Sequence, residues 1–112
     1  GVSVYTYSTV RLLMEGKGRE TMDDLEEFTT VRELEYPGDM AGCVAAMRND
    51  ALQVLVNVNG WCDSGANDVL LARVAPLQVS YMGYPGSMGA RAWSDYLVTD
   101  STASPPEYAD HY

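Results

Sequence analysis

Three short apolar runs constrain this chain most. Val54-Leu55-Val56-Asn57-Val58 passes into Asn59-Gly60-Trp61, and Leu77-Gln78-Val79-Ser80-Tyr81-Met82 passes into Gly83-Tyr84-Pro85-Gly86-Ser87-Met88-Gly89. Tyr96-Leu97-Val98-Thr99 stops at Asp100. Short runs rich in Val, Leu and Tyr, bounded by Gly, Asn and Pro, read as strands. The near-continuous apolar character of Val54–Val58 fits a strand covered on both faces, as in parallel sheets. In open α/β sheets, ligands bind in the crevice beyond the carboxyl ends of the strands. Two glycine-bearing loops at the ends of neighbouring strands therefore predict a cleft.

The rest of the chain alternates with these runs. Val2–Tyr7 is rich in β-formers and predicts a strand, and Gly16 and Gly18 predict a loop after it. Arg19–Phe28 predicts a helix, with Met22, Leu25 and Phe28 on one face. Thr29–Leu34 reads as a short strand ended by Tyr36-Pro37-Gly38. Asp39 is a good helix cap for Met40–Asn49, where Met40, Cys43, Val44 and Met47 form an apolar stripe. Ala66–Arg73 predicts a short helix, Pro76 a turn, and Ser104-Pro105-Pro106-Glu107 a helix start. Strands alternating with helices imply an α/β fold with parallel strands and right-handed crossovers.

Composition narrows the partners. The net charge is −9, with 16 acidic and 7 basic residues. No basic patch is available for nucleic acid or an anionic membrane, and neither is expected as a partner. The acidic run Asp23-Asp24-Leu25-Glu26-Glu27 reads as a solvated helix face. Cys43 and Cys62 lie far apart in sequence and His111 is the one histidine, so no zinc-type ligand spacing exists. Two thiols in an α/β chain fit a reducing compartment, with Cys43 as a small core residue; a disulfide between them remains an alternative. No apolar run approaches the ~20 residues that span a bilayer. The chain starts without Met in a strand-like run and stops where a helix has just begun, so both ends read as cut and a single partial domain over residues 1–112 is expected.

Four segments, in order, resemble the catalytic region of the protein O-GlcNAc transferases: Leu55-Val56-Asn57-Val58-Asn59-Gly60-Trp61, Arg73-Val74-Ala75-Pro76-Leu77-Gln78, Met82-Gly83-Tyr84-Pro85-Gly86-Ser87-Met88-Gly89 and Asp95-Tyr96-Leu97-Val98-Thr99-Asp100. Gly-Tyr-Pro-Gly alone is an ordinary turn signal; four motifs in family order are not. The likeness covers Val54–Tyr112 strongly and the upstream part more weakly. A related branch, the SPINDLY-type protein O-fucosyltransferases, tends to carry Asp where this chain has Asn57 and His where it has Trp61, so Asn57-Val58-Asn59-Gly60-Trp61 leans to the O-GlcNAc branch.

The resemblance implies a Rossmann-like, mostly parallel sheet flanked by helices, forming the later part of the first lobe of a two-lobed GT-B glycosyltransferase. It implies a nucleocytoplasmic parent with tetratricopeptide repeats. It also implies inverting, metal-independent transfer of N-acetylglucosamine from UDP-GlcNAc to Ser or Thr hydroxyls of acceptor proteins, with no further cofactor. The departing diphosphate needs positive charge or helix N-terminal amides. In the family those lie in the second lobe, and the histidines proposed for catalysis lie upstream, so no catalytic residue is expected on this chain and it is expected to be inactive alone. The segment matching Met82, Gly83, Tyr84 and Pro85 lies beside donor sugar and acceptor peptide in the family. A glycine at position 83 would let a ligand approach the backbone, or would serve a tight turn without ligand contact. Asn59, Gly60, Cys62 and Asp63 form the second candidate loop. The family has Lys where Asp63 stands, near the acceptor, and Asp63 reverses that charge. Asn57 and Asn59 are expected to hydrogen-bond backbone at the loop end, Trp61 to pack, and Asp95 and Asp100 to cap or bond locally. A non-catalytic scaffold of the same fold and an unrelated flavodoxin-like binding domain are the readings from other classes; fold alone does not separate them.

Overall fold

A computed structural model describes residues 1–9, 17–62, 65–81, 83–84 and 86–112. The loop expected around Gly16 lies outside the described residues. Elements follow the alternation expected from sequence: β1 (Tyr5–Ser8), α1 (Lys17–Glu26), β2 (Thr30–Glu33), α2 (Met40–Asn49), β3 (Val54–Asn57), α3 (Asn67–Leu71), β4 (Leu77–Tyr81) and β5 (Tyr96–Val98). A 3₁₀ helix over Pro106–His111 ends the chain, with Pro in its first turn, where an α-helix start was expected. The fold is α/β with parallel strands, as the sequence predicts. The chain divides into two compact units, Gly1–Cys43 and Val44–Tyr112.

In the first unit β1 and β2 pair in parallel, with Tyr5 opposite Thr30 and Ser8 opposite Glu33. The strand is shorter than the Val2–Tyr7 expected; Val2 is 91% exposed and lies before it. Tyr5 and Tyr7 stack at 6.4 Å, and the Arg32 guanidinium sits 5.8 Å from the Tyr5 ring centroid. Helix α1 starts at Lys17, so Gly18 lies inside it and not in a loop. Met22 is buried, but the helix ends at Glu26 and Phe28 is 74% exposed beyond it. The spacing-by-three pattern fails there because the chain turns: the Phe28 and Thr29 N–H groups both donate to the Leu25 carbonyl.

Helix α2 has the bounds read from sequence. Asp39 caps it: its Oδ1 accepts the Gly42 N–H at 2.8 Å. The Asp39 carboxylate lies over the space a Cβ at position 42 would take. Cys43 and Met47 are buried, Val44 is partly covered and Met40 stands at the edge of the stripe. Burial, aided by the negative charges of Asp39 and Glu35, pushes the Cys43 thiol above its ordinary pKa. Both cysteines are free thiols, Cys43 buried and Cys62 exposed.

The second unit is built on a parallel sheet of order β3-β4-β5. Val54 faces Leu77 and Asn57 faces Ser80; Val79 faces Tyr96 and Tyr81 faces Val98. One face carries Leu55, Asn57, Gln78, Ser80 and Leu97, and α3, whose Val69 and Leu70 are buried, meets it at Gln78. Gln78 is fully buried there and donates through Nε2 to the carbonyls of Leu70 (2.9 Å) and Trp93 (3.0 Å).

Within this chain the other face is left open. Val54, Val56, Tyr81, Tyr96 and Val98 alternate onto it and are each more than 40% exposed. Within this unit no described element lies over them. Contiguous exposed apolar surface of this kind favours association over solubility. The isolated chain is therefore expected to bind an apolar dye such as ANS and to melt broadly. A sharp, cooperative melt well above ambient temperature, followed by near-ultraviolet circular dichroism, would contradict this.

Candidate functional site

Because β3 and β4 are neighbours running in the same direction, the loops that follow them leave the same edge of the sheet side by side. The adjacency expected of the two candidate loops is therefore met, at the carboxyl ends of the strands. Met82, Pro85 and Asp63 lie outside the described residues.

The first loop is shaped by Asn57. Its Oδ1 accepts the N–H groups of Asn59 (3.1 Å) and Gly60 (3.2 Å), the loop-end bonding read from the sequence. The Asn59 carbonyl accepts the Cys62 N–H at 3.0 Å, and the Cys62 carbonyl accepts the Gly65 N–H at 2.8 Å. Gly60 is buried with φ +55°, a conformation in which most side chains are strained. A Cβ there would also overlap the Cβ of Tyr84.

The second loop presses on the first. A Cβ on Gly83 would run into the Val58 carbonyl oxygen and crowd Asn59 Cα at 3.0 Å. The glycine is thus required by the neighbouring loop. The Gly83 N–H donates to the Tyr81 carbonyl at 2.7 Å, and its own carbonyl accepts the Cys62 thiol at 3.2 Å. Tyr84 is half-buried, and Gly86 packs against its ring. Trp61 meets Trp93 edge to face at 5.2 Å, which is the packing role expected, although half of Trp61 stays exposed.

Two open depressions flank the second loop. One, of about 550 Å³, is lined by Ser80, Ser87, Arg91, Thr99 and Ser104 among others. The other, of about 390 Å³, is lined by Tyr81, Tyr84, Leu97 and Asp100 among others. Asn57 Nδ2 and Ser80 Oγ, on register partners at the carboxyl ends of β3 and β4, are buried with no hydrogen-bond partner among the described residues. Such groups call for a polar partner. Ser80, Arg91 and Gln78 were not singled out from sequence. The signal was present for two of them, since Gln78 and Ser80 alternate with apolar residues in β4 and so share one face.

At the opposite end of the strands Asp95 acts as a clamp. Its Oδ2 accepts Arg73 Nη2 and the Gln78 N–H, each at 2.8 Å, and its N–H donates to the Gln78 carbonyl at 2.7 Å. This departs from the local bonding expected: the partners lie 22 and 17 residues away, brought in because β4 and β5 are neighbours. Asp100 does bond locally, accepting the N–H groups of Thr102 and Ala103. The Arg73 hydrogen bond, then that of the Gln78 N–H, lowers the Asp95 pKa; the N–H groups of Ala103 and Thr102 lower that of Asp100.

Residues 2–112 match the sequence model of Glycosyl transferase family 41. The chain belongs to that family. Among its relatives, the probable UDP-N-acetylglucosamine--peptide N-acetylglucosaminyltransferase SEC of Arabidopsis thaliana is 46% identical over 66 residues, 59% of this chain and 7% of that protein. The UDP-N-acetylglucosamine--peptide N-acetylglucosaminyltransferase of Caenorhabditis elegans is 32% identical over 91 residues, 81% of this chain and 8% of that protein. A solved mutant of the Thermobaculum terrenum O-GlcNAc transferase superposes with a TM-score of 0.81 at 25% identity, over 98% of this chain and 20% of that one. The family 41 chain thus spans less than a tenth of the length of these two curated relatives.

Two outcomes are expected. Gly83→Ala should destabilise the protein by about 1–3 kcal/mol, the usual cost of forcing extra volume against packed atoms. Gly38→Ala, whose Cβ would meet nothing closer than 3.5 Å, should change stability far less; urea unfolding of the two variants decides. The Asp95 clamp also sets a pH dependence. Its folded pKa is lower than its unfolded one, so between the two values the unfolded chain binds more protons and stability rises with pH. The contribution is complete above the ordinary carboxylate pKa of about 3.9 and is lost as pH falls through the folded value. Acid titration of Asp95→Asn should show a shallower acid-side loss than the unaltered chain.

Proposed function

We propose that this chain is one wall of the active-site cleft of a protein O-GlcNAc transferase, within the first lobe of a GT-B parent to which both compact units belong. The observation that carries the reading is the interlocked pair of loops at the carboxyl ends of β3 and β4, in a chain that matches family 41 over residues 2–112. The names of the plant and nematode relatives support UDP-GlcNAc as donor and a peptide as acceptor.

The reaction is a single inverting displacement. A Ser or Thr hydroxyl oxygen attacks the anomeric carbon of N-acetylglucosamine, the bond from that carbon to the UDP oxygen breaks with its electron pair, and the hydroxyl proton leaves to a base. Placing the hydroxyl in line with the anomeric carbon is the positional demand, and binding surfaces on this chain serve it. By the family likeness, the segment Met82, Gly83, Tyr84 and Pro85 serves donor sugar and acceptor peptide, and the segment with Asn59, Gly60, Cys62 and Asp63 serves the acceptor. Asp63 stands where the family has Lys and reverses the charge of that segment, which favours acceptors with basic flanks. Charge stabilisation of the departing UDP and the proton acceptor come from parts of the parent outside this segment. The parent works in the cytoplasm or nucleus on protein Ser and Thr residues, with no nucleic acid or membrane partner.

Full-length parent protein, incubated separately with UDP-GlcNAc and GDP-fucose and a Ser/Thr peptide, should transfer N-acetylglucosamine. Transfer of fucose alone would establish the SPINDLY-type alternative. Transfer of neither sugar would overturn the enzymatic reading in favour of a scaffold.

A further inference from the structure

The two candidate loops touch in three ways. Gly83 approaches the Val58 carbonyl too closely to admit a side chain, Gly60 does the same against Tyr84, and the Cys62 thiol donates to the Gly83 carbonyl at 3.2 Å. The first two contacts set how near the loops lie. They do not set how the peptide plane between Gly83 and Tyr84 is turned, because glycine torsions are freer than those of any other residue. The third contact does. The peptide is trans, so its carbonyl and the following N–H point in opposite directions. With the Gly83 carbonyl held by Cys62, the Tyr84 N–H is turned away from the first loop. Cys62 is exposed, so burial of its side chain does not account for its placement, whereas its donor does.

We propose that Cys62 is a positioning residue: its thiol, bonded to the Gly83 carbonyl, fixes the orientation of the Gly83–Tyr84 peptide that the bound substrates meet. Cys62 acts through Gly83 and takes no part in bond making. The inference rests on the proposed role of these loops as a cleft wall.

The test compares full-length parent protein with Cys62→Ala and Cys62→Ser. Alanine removes the donor, while serine keeps a hydroxyl that can donate to the same carbonyl. With UDP-GlcNAc and a Ser/Thr peptide, Cys62→Ala should lower kcat/KM about twofold, the factor supplied by a hydrogen bond at the weak end of the usual net range, as suits a thiol donor. Cys62→Ser should recover most of that loss. Full activity in Cys62→Ala, or an equal loss in both variants, overturns the proposal. Amide hydrogen exchange over residues 83–90 reads the same contact without catalysis. Faster exchange in Cys62→Ala but not in Cys62→Ser supports the positioning role, and equal exchange in all three proteins overturns it. A parent that transfers neither sugar overturns the transferase reading, and the exchange measurement still decides whether Cys62 holds Gly83.

Discussion

The parallel pairing of β3 with β4 is the contact on which the rest of the second unit depends. It aligns Asn57 with Ser80 and so brings the two following loops out at one edge. It also leaves Gln78 on the face under α3, where its amide ties the Leu70 and Trp93 carbonyls together. Loss of that amide would remove both bonds: the Leu70 carbonyl would keep the Arg73 N–H, and the Trp93 carbonyl would lose the Gln78 donor, a cost of about 1 kcal/mol or more. A shift of one residue in the pairing would turn every side chain of β4 to the opposite face and undo both arrangements.

Built on that pairing, the two loops act as one body. Asn57 closes the first through its side-chain oxygen, the second fits against it because residues 60 and 83 lack side chains, and Cys62 adds a directional bond. Clefts that must hold two substrates in line gain from walls whose shape is set before binding. The clamp of Asp95 on Arg73 and Gln78 secures the opposite end of the same strands, so β4 is tied at both ends.

Much of this was readable in the residues. The alternation of strands and helices, the bounds of α2, the Asp39 cap and the Asn57 bonding all follow from local patterns, and local patterns are what a sequence displays directly. What was not readable depends on contacts between distant residues. Phe28 continues the helical spacing of Met22 and Leu25, but the chain leaves the helix before reaching it. Asp95 looks like a local cap until β5 is placed beside β4. Gly83 meets the Val58 carbonyl, a neighbour that no local pattern around residue 83 displays.

The fit of Gly60 against Tyr84 and of Gly83 against Val58 has a consequence for how such a protein can vary. Each loop is the mould in which the other is cast. A residue gained at position 60 requires a retreat at position 84, and one gained at position 83 requires the backbone at 58 to move with its strand. Drift in this corner of the molecule must therefore proceed in matched steps. Anyone transplanting one loop into a relative would have to carry the other with it.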